Sequence, residues 1–366
     1  MRIIVLGTRG FPNVQGGVEK HCQELYPRLV KLGCEIVVLA RAPYVGDKEY
    51  NWQGVQVVPI KCSKNKFLEA VLHTYKGLRR ARKFKPDIVH IHAIGPSLFV
   101  PMAHKLGAKI VMTHHGPDYK RAKWNWFARA VLRIGEARGC KYADAVICIS
   151  EQIVKEVREK FNRYLFVIPN GVTLPEIVKT DETLKRFGLE KKQYLLAVGR
   201  FVPEKGFHDL IEAFLKVKPA GWKLVIVGAA DHEDSYSIQL KKMAQDNSQV
   251  VLTGFLSGQP LEELYSHAGL FVLPSYYEGL PIVLLEALSY GLSCLVSDIP
   301  ANREVGLAQE RYFPVGDKDA LAQKIKEFIA QPMSQQQQFV QRSEIAQKYD
   351  WDKIAVQTLE VYKSVC

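Results

Sequence analysis

Short apolar runs alternate with longer segments of helical periodicity along the whole chain, and the alternation passes through two cycles. Apolar runs bounded by glycine and proline are typical of buried parallel strands, and the segments between them are long enough to form helices. Such a pattern builds an open parallel sheet with helices on both faces. Because 366 residues suffice for two domains of ordinary size, we expect an α/β protein with two doubly wound domains.

The first cycle occupies residues 1–170. It opens with an apolar strand at 2–7, a glycine-containing loop and a helix over 18–32, which is how a doubly wound unit begins. The other strands are predicted at 35–40, 55–59, 88–92, 109–113, 145–149 and 165–168, and the helices at 66–83, 97–106, 122–141 and 150–161.

The second cycle occupies residues 193–350 and follows a charged segment at 171–192, which we assign as the linker. Two consecutive α/β sheets of similar size predict two Rossmann-like domains that face one another across a cleft. A last helix begins near residue 352. Strands are predicted at 194–200, 223–227, 250–252, 270–273 and 293–297, and helices at 207–216, 235–246, 260–267, 281–290 and 317–330.

The net charge of +12 is concentrated in the N-terminal half. Residues 1–170 hold 29 Lys and Arg against 13 Asp and Glu, a balance of +16, whereas residues 171–366 hold 21 against 25, a balance of −4. The basic clusters lie at 61–66, 76–85 and 120–138. An anionic membrane surface and plain solvation are both open explanations. Nucleic acid is disfavoured, because no nucleic-acid-binding motif accompanies the charge.

Seven scattered cysteines without a C-x-x-C spacing favour reduced thiols in the cytoplasm over a disulfide framework or a zinc site. The N-terminal apolar run is too short for a secretory signal and enters a strand at once. No run approaches the roughly 18 apolar residues of a membrane-spanning helix. We therefore expect a cytoplasmic protein, with a peripheral position on the inner face of the membrane as the alternative that the basic half suggests.

Gly16 and Gly17 precede the first helix, at the edge of the sheet where ligands of open α/β folds collect. Glycine lets a phosphate or sugar approach the backbone closely, although a turn without a ligand would also use it. The spacing from Gly7 and Gly10 does not fit the dinucleotide fingerprint G-x-G-x-x-G.

His114 and His115 follow the strand at 109–113 and precede Gly116. A histidine at the carboxyl end of a strand can donate to a sugar hydroxyl or stabilise developing charge. His90 and His92 share one face of a strand, but no third ligand is evident from the sequence, so we interpret them as packing or crevice residues.

Arg200 and Lys205 also follow a strand and are separated by a proline-containing turn. Two such cations can converge on one diphosphate, with arginine binding as a fork and lysine as a point charge. Two unrelated surface cations are the alternative.

The stretch 271–286 is predicted to form a buried strand, a tight turn and a helix that begins near Pro281. The N-terminus of a helix offers N–H groups and partial positive charge to a phosphate. Glu278 and Glu286 flank this position, so the stretch is suited to a sugar nucleotide, with the diphosphate at the helix end and carboxylates for the hydroxyls.

No metal site is predicted. The pairs Asp317/Asp319 and Asp350/Asp352 match the D-x-D pattern of some metal-dependent sugar-nucleotide enzymes, but both stand where helix N-caps are expected. The signatures of hydrolases and of P-loop proteins are absent from the sequence.

Together these motifs resemble the retaining GT-B glycosyltransferases of glycosyltransferase family 4, over nearly the whole chain and in the family's order. The opening loop further resembles bacterial rhamnosyltransferase-like members of polysaccharide pathways. The matching segments are Gly16-Gly-Val-Glu19, Thr113-His-His-Gly116, Ile168-Pro-Asn-Gly171, Val198-Gly-Arg-Phe-Val-Pro-Glu-Lys-Gly206 and the E-x7-E element Glu278-Gly-Leu-Pro-Ile-Val-Leu-Leu-Glu286.

The resemblance implies that Gly16 and Gly17 approach the diphosphate and the donor sugar. It implies that His115, rather than His114, contacts a hydroxyl of that sugar. Arg200 and Lys205 would neutralise the leaving diphosphate, so that neither a metal nor a cofactor is required.

The resemblance also implies that Glu278 holds the donor sugar and that Glu286 binds the ribose hydroxyls. The last helix would pack back on the N-terminal domain. The backbone that would cap the phosphate and ribose consists of Gly279, Leu280, Pro281, Ile282 and Val283.

The function expected from this resemblance is retaining, metal-independent sugar transfer from a UDP-, GDP- or dTDP-sugar to a lipid-linked or growing saccharide. The nucleotide sugar is a substrate, so no cofactor is expected. A UDP-N-acetylglucosamine 2-epimerase of similar fold and a non-catalytic module that binds nucleotide sugar or membrane are the alternatives.

Overall fold

The computed structural model describes residues 1–63, 69–120 and 124–366. The start of the helix predicted at 66–83, and parts of the basic clusters at 61–66 and 120–138, lie outside the described residues. The chain divides into two compact units. The N-terminal unit comprises Met1–Gly171 and Trp351–Cys366, and the C-terminal unit comprises Val172–Asp350.

The N-terminal unit is built on an eight-stranded sheet in the order β3-β4-β2-β1-β5-β6-β7-β8, in which β3 alone is antiparallel to its neighbour. Its central strands are wholly apolar or buried, as expected for a sheet covered on both faces. The strands are β1 (Arg2–Leu6), β2 (Glu35–Arg41), β3 (Tyr50–Trp52), β4 (Val55–Ile60), β5 (Ile88–His92), β6 (Lys109–His114), β7 (Ala145–Cys148) and β8 (Phe166–Val167).

Helices connect these strands, and their bounds are α1 (Gly17–Lys31), α2 (Ala42–Val45), α3 (Glu69–Ala81), α4 (Val100–Ala103), α5 (Trp126–Tyr142) and α6 (Glu151–Phe161). The single helix predicted at 97–106 is wrong. It is replaced by two 3-10 turns that flank the short α4. Pro96 and Pro101 each lack an N–H donor, so each suits the first turn of a short helix and interrupts a longer one.

The C-terminal unit holds a six-stranded, fully parallel sheet in the order β11-β10-β9-β12-β13-β14. Its strands are β9 (Tyr194–Val198), β10 (Lys223–Val227), β11 (Val250–Gly254), β12 (Leu270–Leu273), β13 (Cys294–Ser297) and β14 (Tyr312–Phe313). Its helices are α7 (Glu182–Phe187), α8 (Phe207–Val217), α9 (Ser235–Gln245), α10 (Gln259–His267), α11 (Ile282–Ser289), α12 (Pro300–Arg303), α13 (Lys318–Ala330) and α14 (Gln335–Lys348).

The segment assigned as a linker contains α7 and bonds to α10 of the C-terminal unit. The backbone N–H of Thr183 donates to Glu263 at 2.7 Å, and the N–H of Val178 donates to Ser266 at 3.0 Å. Asp317 caps α13 as the sequence predicts, because its carboxylate accepts the N–H groups of Asp319 and Ala320.

The last helix, α15 (Trp351–Val365), belongs to the N-terminal unit. Trp351, Ile354 and Tyr362 join the apolar core formed by α1 and the central strands. Gly171 makes room for this helix, because a Cβ there would lie 2.6 Å from the Trp351 ring. Across the described residues, no helix is both long enough and apolar enough to span a membrane.

Candidate active site

The predicted cation Lys205 and the predicted carboxylate Glu278 are in direct contact in the C-terminal unit. The Lys205 Nζ lies 2.6 Å from Glu278 Oε1. The Ser275 hydroxyl donates to the same oxygen, also at 2.6 Å. Both charged side chains are nearly nine-tenths buried, at 15% and 11% exposure, so this ion pair is screened little by water. The two loops that carry it follow β9 and β12, which are neighbours in the sheet.

Gly206 is what allows these two loops to approach one another. Its φ of +66° lies in the left-handed region, and a Cβ there would stand 2.2 Å from the carbonyl oxygen of Pro274. The Tyr276 N–H donates to the carbonyl of Glu204 at 2.9 Å, which closes the contact from the other side. The glycine therefore brings the Lys205 turn against the segment that holds Glu278.

Arg200 is paired with Asp231, a residue to which the sequence assigns no role as an ion-pair partner. Arg200 Nη1 lies 2.9 Å from Asp231 Oδ2, and both side chains are largely buried. Asp231 follows β10, the other neighbour of β9 in the sheet. Because the sheet brings the two residues together, sequence spacing alone does not indicate that Asp231 is the partner of Arg200. Each predicted phosphate-binding cation is thus held by a carboxylate in this structure.

Helix α11 begins where the sequence predicts, with Pro281 as its N-cap residue. The first N–H groups of a helix have no intrahelical partner, and they carry its partial positive charge. Leu280 and Ile282 are buried and anchor this first turn in the core. The segment from Gly279 to Val283 therefore presents a rigid helix N-terminus next to Glu278.

Glu286 is positioned on α11 by a buried tyrosine. The Tyr265 hydroxyl donates to Glu286 Oε2 at 3.2 Å. Burial, followed by the negative charge of Glu286, raises the pKa of Tyr265 well above its usual value. The phenol therefore stays protonated and orients the carboxylate.

Gly16 and Gly17 begin α1 in the N-terminal unit, with Gly16 as the N-cap residue at φ +149°. A Cβ on Gly16 would lie 2.0 Å from Glu19 Oε2, whereas a Cβ on Gly17 would meet nothing within 4 Å among the described residues. The other Glu19 oxygen accepts the N–H of Arg9 at 3.0 Å. The Glu19 carboxylate therefore fills the space beside Gly16, whereas the space beside Gly17 is open among the described residues.

His114 and His115, between which the sequence leaves an ambiguity, have different environments. His114 is fully buried, its Nδ1 accepts the N–H of Gly116 at 3.1 Å, and its Nε2 lies 3.0 Å from Glu136. Because Nδ1 is an acceptor, Nε2 carries the proton and donates to Glu136. Both nitrogens of His114 are therefore occupied by the fold, whereas His115 is half-buried and lies in a different group of side chains.

His115 belongs to a cluster with His21 and His92. No sequence pattern indicates this cluster, because His21 lies on α1, far from the other two along the chain. Within the described residues, one ring nitrogen from each of the three lies within 4.8 Å of the others. His21 Nδ1 is 2.9 Å from Asn170 Oδ1, so the asparagine of the Ile168–Gly171 motif bonds to a member of this cluster.

Burial keeps the inner histidines neutral. Desolvation lowers the pKa of His21 to about 4, against a smaller opposing effect of its bond to Asn170. Desolvation and the proximity of His21 lower the pKa of His90 to about 3. Desolvation, followed by the neighbouring histidines, also lowers the pKa of His92 well below its ordinary value. These rings are single hydrogen-bond donors at neutral pH.

We expect the N-terminal unit to lose stability as the pH falls from about 7 to about 5. The unfolded chain protonates its histidines near pH 6.5, while His21 and His90 stay neutral in the folded state until about pH 4 and 3. The unfolded state therefore binds more protons in this window, so stability falls with pH. The free energy of unfolding of this unit at each pH is measured by urea unfolding, with amide exchange in β5 as the probe. His21→Leu should show a shallower pH dependence, and a midpoint that does not change over this window in the wild type would contradict the expectation.

Comparisons with known proteins agree with this architecture. The model of the family described as glycosyl transferases group 1 matches residues 179–345, and that of glycosyltransferase family 4 matches residues 15–175. An uncharacterised glycosyltransferase from Methanocaldococcus jannaschii is 26% identical, and the alignment covers 99% of this chain and 98% of that protein.

Two further proteins are similar. A UDP-Gal:α-D-GlcNAc-diphosphoundecaprenol α-1,3-galactosyltransferase from Escherichia coli is 29% identical over 67% of this chain and 66% of its own length. The Anabaena protein HepE, solved in complex with UDP-glucose, superposes with a TM-score of 0.80 at 17% identity and full coverage of both chains. The structural likeness shows a common fold.

Proposed function

This chain is a glycosyltransferase of the GT-B type, and from that premise we propose that it transfers a sugar from a UDP-sugar to a lipid-linked or growing saccharide. The transfer proceeds with retention of anomeric configuration and without a metal. The observation that carries the proposal is the buried Lys205–Glu278 pair beside the N-terminus of α11. UDP is the first candidate nucleotide, because the E. coli relative is named for UDP-Gal and HepE was solved in complex with UDP-glucose. GDP- and dTDP-sugars are the next candidates.

The donor's diphosphate would lie between the first turn of α11 and the two cations. Lys205 contributes a point charge, while Glu278, oriented by Ser275, accepts hydroxyls of the sugar. A guanidinium carries five N–H donors, and Asp231 bonds one nitrogen of Arg200. Arg200 can therefore bind a phosphate oxygen without leaving Asp231. Glu286, held by Tyr265, is suited to the two ribose hydroxyls.

Catalysis then depends on stabilising the charge of the departing diphosphate. Preorganised cations in a water-poor site stabilise developing charge without reorganising during the reaction. The ion pairs with Glu278 and Asp231 provide that preorganisation, because they hold both cations before the donor arrives. The acceptor hydroxyl would attack from the face that the diphosphate leaves, and the departing β-phosphate oxygen would take its proton. No protein general base is assigned.

In the N-terminal unit, the donor sugar would be contacted by His115 and by the backbone of Gly16 and Gly17. Both ring nitrogens of His114 are hydrogen-bonded within the fold, to Glu136 and to Gly116, which supports His115 as the residue for this role. The open side of Gly17 leaves room for a sugar or phosphate.

A lipid-linked acceptor is supported by an exposed aromatic and basic face on α5. Trp126 is 81% exposed and Phe127 is 62% exposed, so most of each aromatic side chain is accessible to solvent. The exposed Arg133 and the half-buried Arg129 follow them on the same helix. Exposed aromatics among cations are suited to an anionic lipid surface. We therefore include a peripheral position on the cytoplasmic face of the membrane in the proposal.

We expect the protein to sediment with vesicles that contain an anionic phospholipid, and to do so less as salt is raised. Trp126→Ala combined with Phe127→Ala should reduce the bound fraction severalfold, because it removes the apolar area that enters the interface. Phe339→Ala is the matched control, since Phe339 is also exposed, at 67%, but lies in the C-terminal unit. Equal binding to neutral and anionic vesicles would refute the assignment of the basic face to an anionic surface, and binding to neither would refute the peripheral position on the membrane.

The proposed reaction is tested by incubating the purified protein with UDP-, GDP- and dTDP-sugars, with and without polyprenyl-diphosphate saccharides. We expect UDP release that depends on the acceptor, and a product with the donor's anomeric configuration by NMR. Nucleotide release without any acceptor, with epimerised sugar as the product, would instead indicate the epimerase alternative. Binding of a nucleotide sugar without turnover under any acceptor would favour the non-catalytic module.

A further inference from the structure

A chain of hydrogen bonds connects His115 to the core of the N-terminal unit through His92 and Tyr26. His115 Nε2 lies 2.9 Å from His92 Nδ1, and the second nitrogen of His92, Nε2, lies 2.5 Å from the Tyr26 hydroxyl. His92 and Tyr26 are fully buried. We call these three side chains the histidine relay.

The contact between His92 and His115 has the geometry of a shared proton rather than of a shared metal. Their ring centroids are 5.2 Å apart, which is about the separation of two imidazoles joined head-on through a 2.9 Å bond. A tetrahedral metal with bonds of about 2.0–2.1 Å would hold the two nitrogens about 3.3 Å apart, with their lone pairs converging on it. We therefore interpret this contact as an N–H···N bond.

The Tyr26 hydroxyl determines which ring nitrogen of His92 and of His115 carries the proton. Burial raises the pKa of Tyr26 well above its usual value, so Tyr26 keeps a proton to donate. His92 is neutral, because desolvation lowers its pKa, and so it carries a single N–H. If Tyr26 donates to Nε2, the proton of His92 must be on Nδ1, from which it donates to His115. His115 then accepts at Nε2 and carries its own proton on Nδ1.

A second phenol keeps Tyr26 directed towards His92. Tyr26 also lies 3.1 Å from His90 Nδ1, but the Tyr362 hydroxyl is nearer to that nitrogen, at 2.6 Å. Tyr362 therefore donates to His90, whose Nε2 then donates to Thr113 at 2.7 Å. The two hydroxyls also bond to one another. We assign each phenol proton to its shorter contact with a histidine, from Tyr26 to His92 and from Tyr362 to His90.

We propose that Tyr26 and His92 are positioning residues that hold His115 as its Nδ1–H tautomer, so that His115 acts as a hydrogen-bond donor towards the substrate. The identity of that substrate as a donor sugar rests on the proposed function. A neutral ring in this tautomer donates to a hydroxyl or phosphate oxygen on the side that does not face His92. It does not act as the general base, because its Nε2 lone pair is used by His92.

The tautomer is measured directly by two-bond ¹H–¹⁵N spectra of the full-length protein labelled at histidine, recorded near neutral pH with EDTA present. His115 is assigned by the signals that disappear in His115→Gln. We expect wild-type His115 to show a protonated Nδ1. A protonated Nε2 or an imidazolium would overturn the proposal.

Two replacements of His92 separate positioning from packing. The amide nitrogen of asparagine overlies Nδ1 of histidine, whereas that of glutamine overlies Nε2. His92→Asn should therefore keep the donor to His115 and its Nδ1–H tautomer, whereas His92→Gln should not. Tyr26→Phe should act like His92→Gln. The matched control is Tyr119→Phe, which removes a buried phenol from the neighbouring Glu136 network and should leave His115 unchanged.

In transfer assays we expect kcat to fall about a hundredfold in His92→Gln and Tyr26→Phe, as for a misplaced catalytic contact, with a smaller change in the KM for the donor. Equal spectra and equal rates for His92→Asn and His92→Gln would show a packing role only and refute the proposal. If instead the Nδ1–H tautomer is present but His115→Gln transfers sugar at the wild-type rate, then the role of His115 in the proposed function fails while the tautomer assignment stands.

Discussion

Replacing Lys205 with alanine is expected to reduce the rate of sugar transfer by about a thousandfold, which is the size of effect seen when one preorganised charge-stabilising group is removed. The Lys205 Nζ is held 2.6 Å from Glu278 in a pair that is mostly withdrawn from solvent. A buried charge interacts strongly with a neighbouring diphosphate, because little water screens it. The loss should appear mainly in kcat, since the charge on the leaving group grows as the bond to the sugar breaks.

The same substitution leaves Glu278 without its cation, so lost catalysis must be separated from a disturbed fold. Lys205→Met removes the charge but keeps most of the apolar stem, and should lose transfer to a similar extent. Lys216→Ala is the matched control, because Lys216 pairs with Asp319 on the exposed surface of the same unit. Thermal unfolding with and without UDP tells the cases apart. A Lys205→Ala protein that transfers sugar at more than about a tenth of the wild-type rate would remove Lys205 from the site.

The fold class was predictable from the sequence because most of the buried strands are nearly continuous runs of apolar residues. Strand β5, for example, begins and ends at the predicted residues, and β10 and β12 also do so. The two-residue strand β14 and the short edge strand β3 were missed, since neither is long enough to show a periodic pattern. The helix predicted at 97–106 failed because local proline chemistry overrode the apolar pattern.

The candidate site was only partly predictable, because its members are joined by tertiary contacts. The residue types at strand ends suggested Lys205 and Glu278, yet nothing in the sequence placed one against the other across 73 positions. The difference in environment between His114 and His115 depends on Glu136, a carboxylate buried on α5 that no local motif identifies. Burial would raise the pKa of Glu136, but its bonds to His114, Tyr119 and Lys160 lower it, so it remains charged and accepts the hydrogen bond from His114.

The histidine cluster is the part of the candidate site that the sequence indicates least. Alternation along β5 put His90 and His92 on one face, but their partners come from α1, from β6 and from α15 at the other end of the chain. The sequence signal that indicates these contacts is the number of histidine and tyrosine residues in segments that are otherwise predicted to be apolar core. Buried polar groups must be bonded, so their presence in β5 and α1 implies a shared network.

Removing the Trp351 side chain is expected to destabilise the N-terminal unit by about 3–5 kcal/mol, the usual cost of truncating a buried tryptophan. Trp351 is 2% exposed, contacts the His21 ring edge-on at 5.4 Å, and would be 2.6 Å from a Cβ on Gly171. Trp351→Ala should therefore leave a cavity between α1, Gly171 and the start of α15. Amide exchange in β1 and β5 under increasing urea measures the free energy of opening for this unit alone.

The matched control lies on the other face of the same helix. Val356 is 47% exposed, so Val356→Ala should change the stability by no more than about 0.5 kcal/mol. Trp351→Phe should fall between the two, because it retains an aromatic ring against His21. Since His21 also borders the histidine relay, Trp351→Ala should broaden the His115 signals, whereas Val356→Ala should not. If β1 and β5 exchange in Trp351→Ala as they do in the wild type, then α15 is not part of the N-terminal core, and Gly171 is required for some other reason than the packing of this helix.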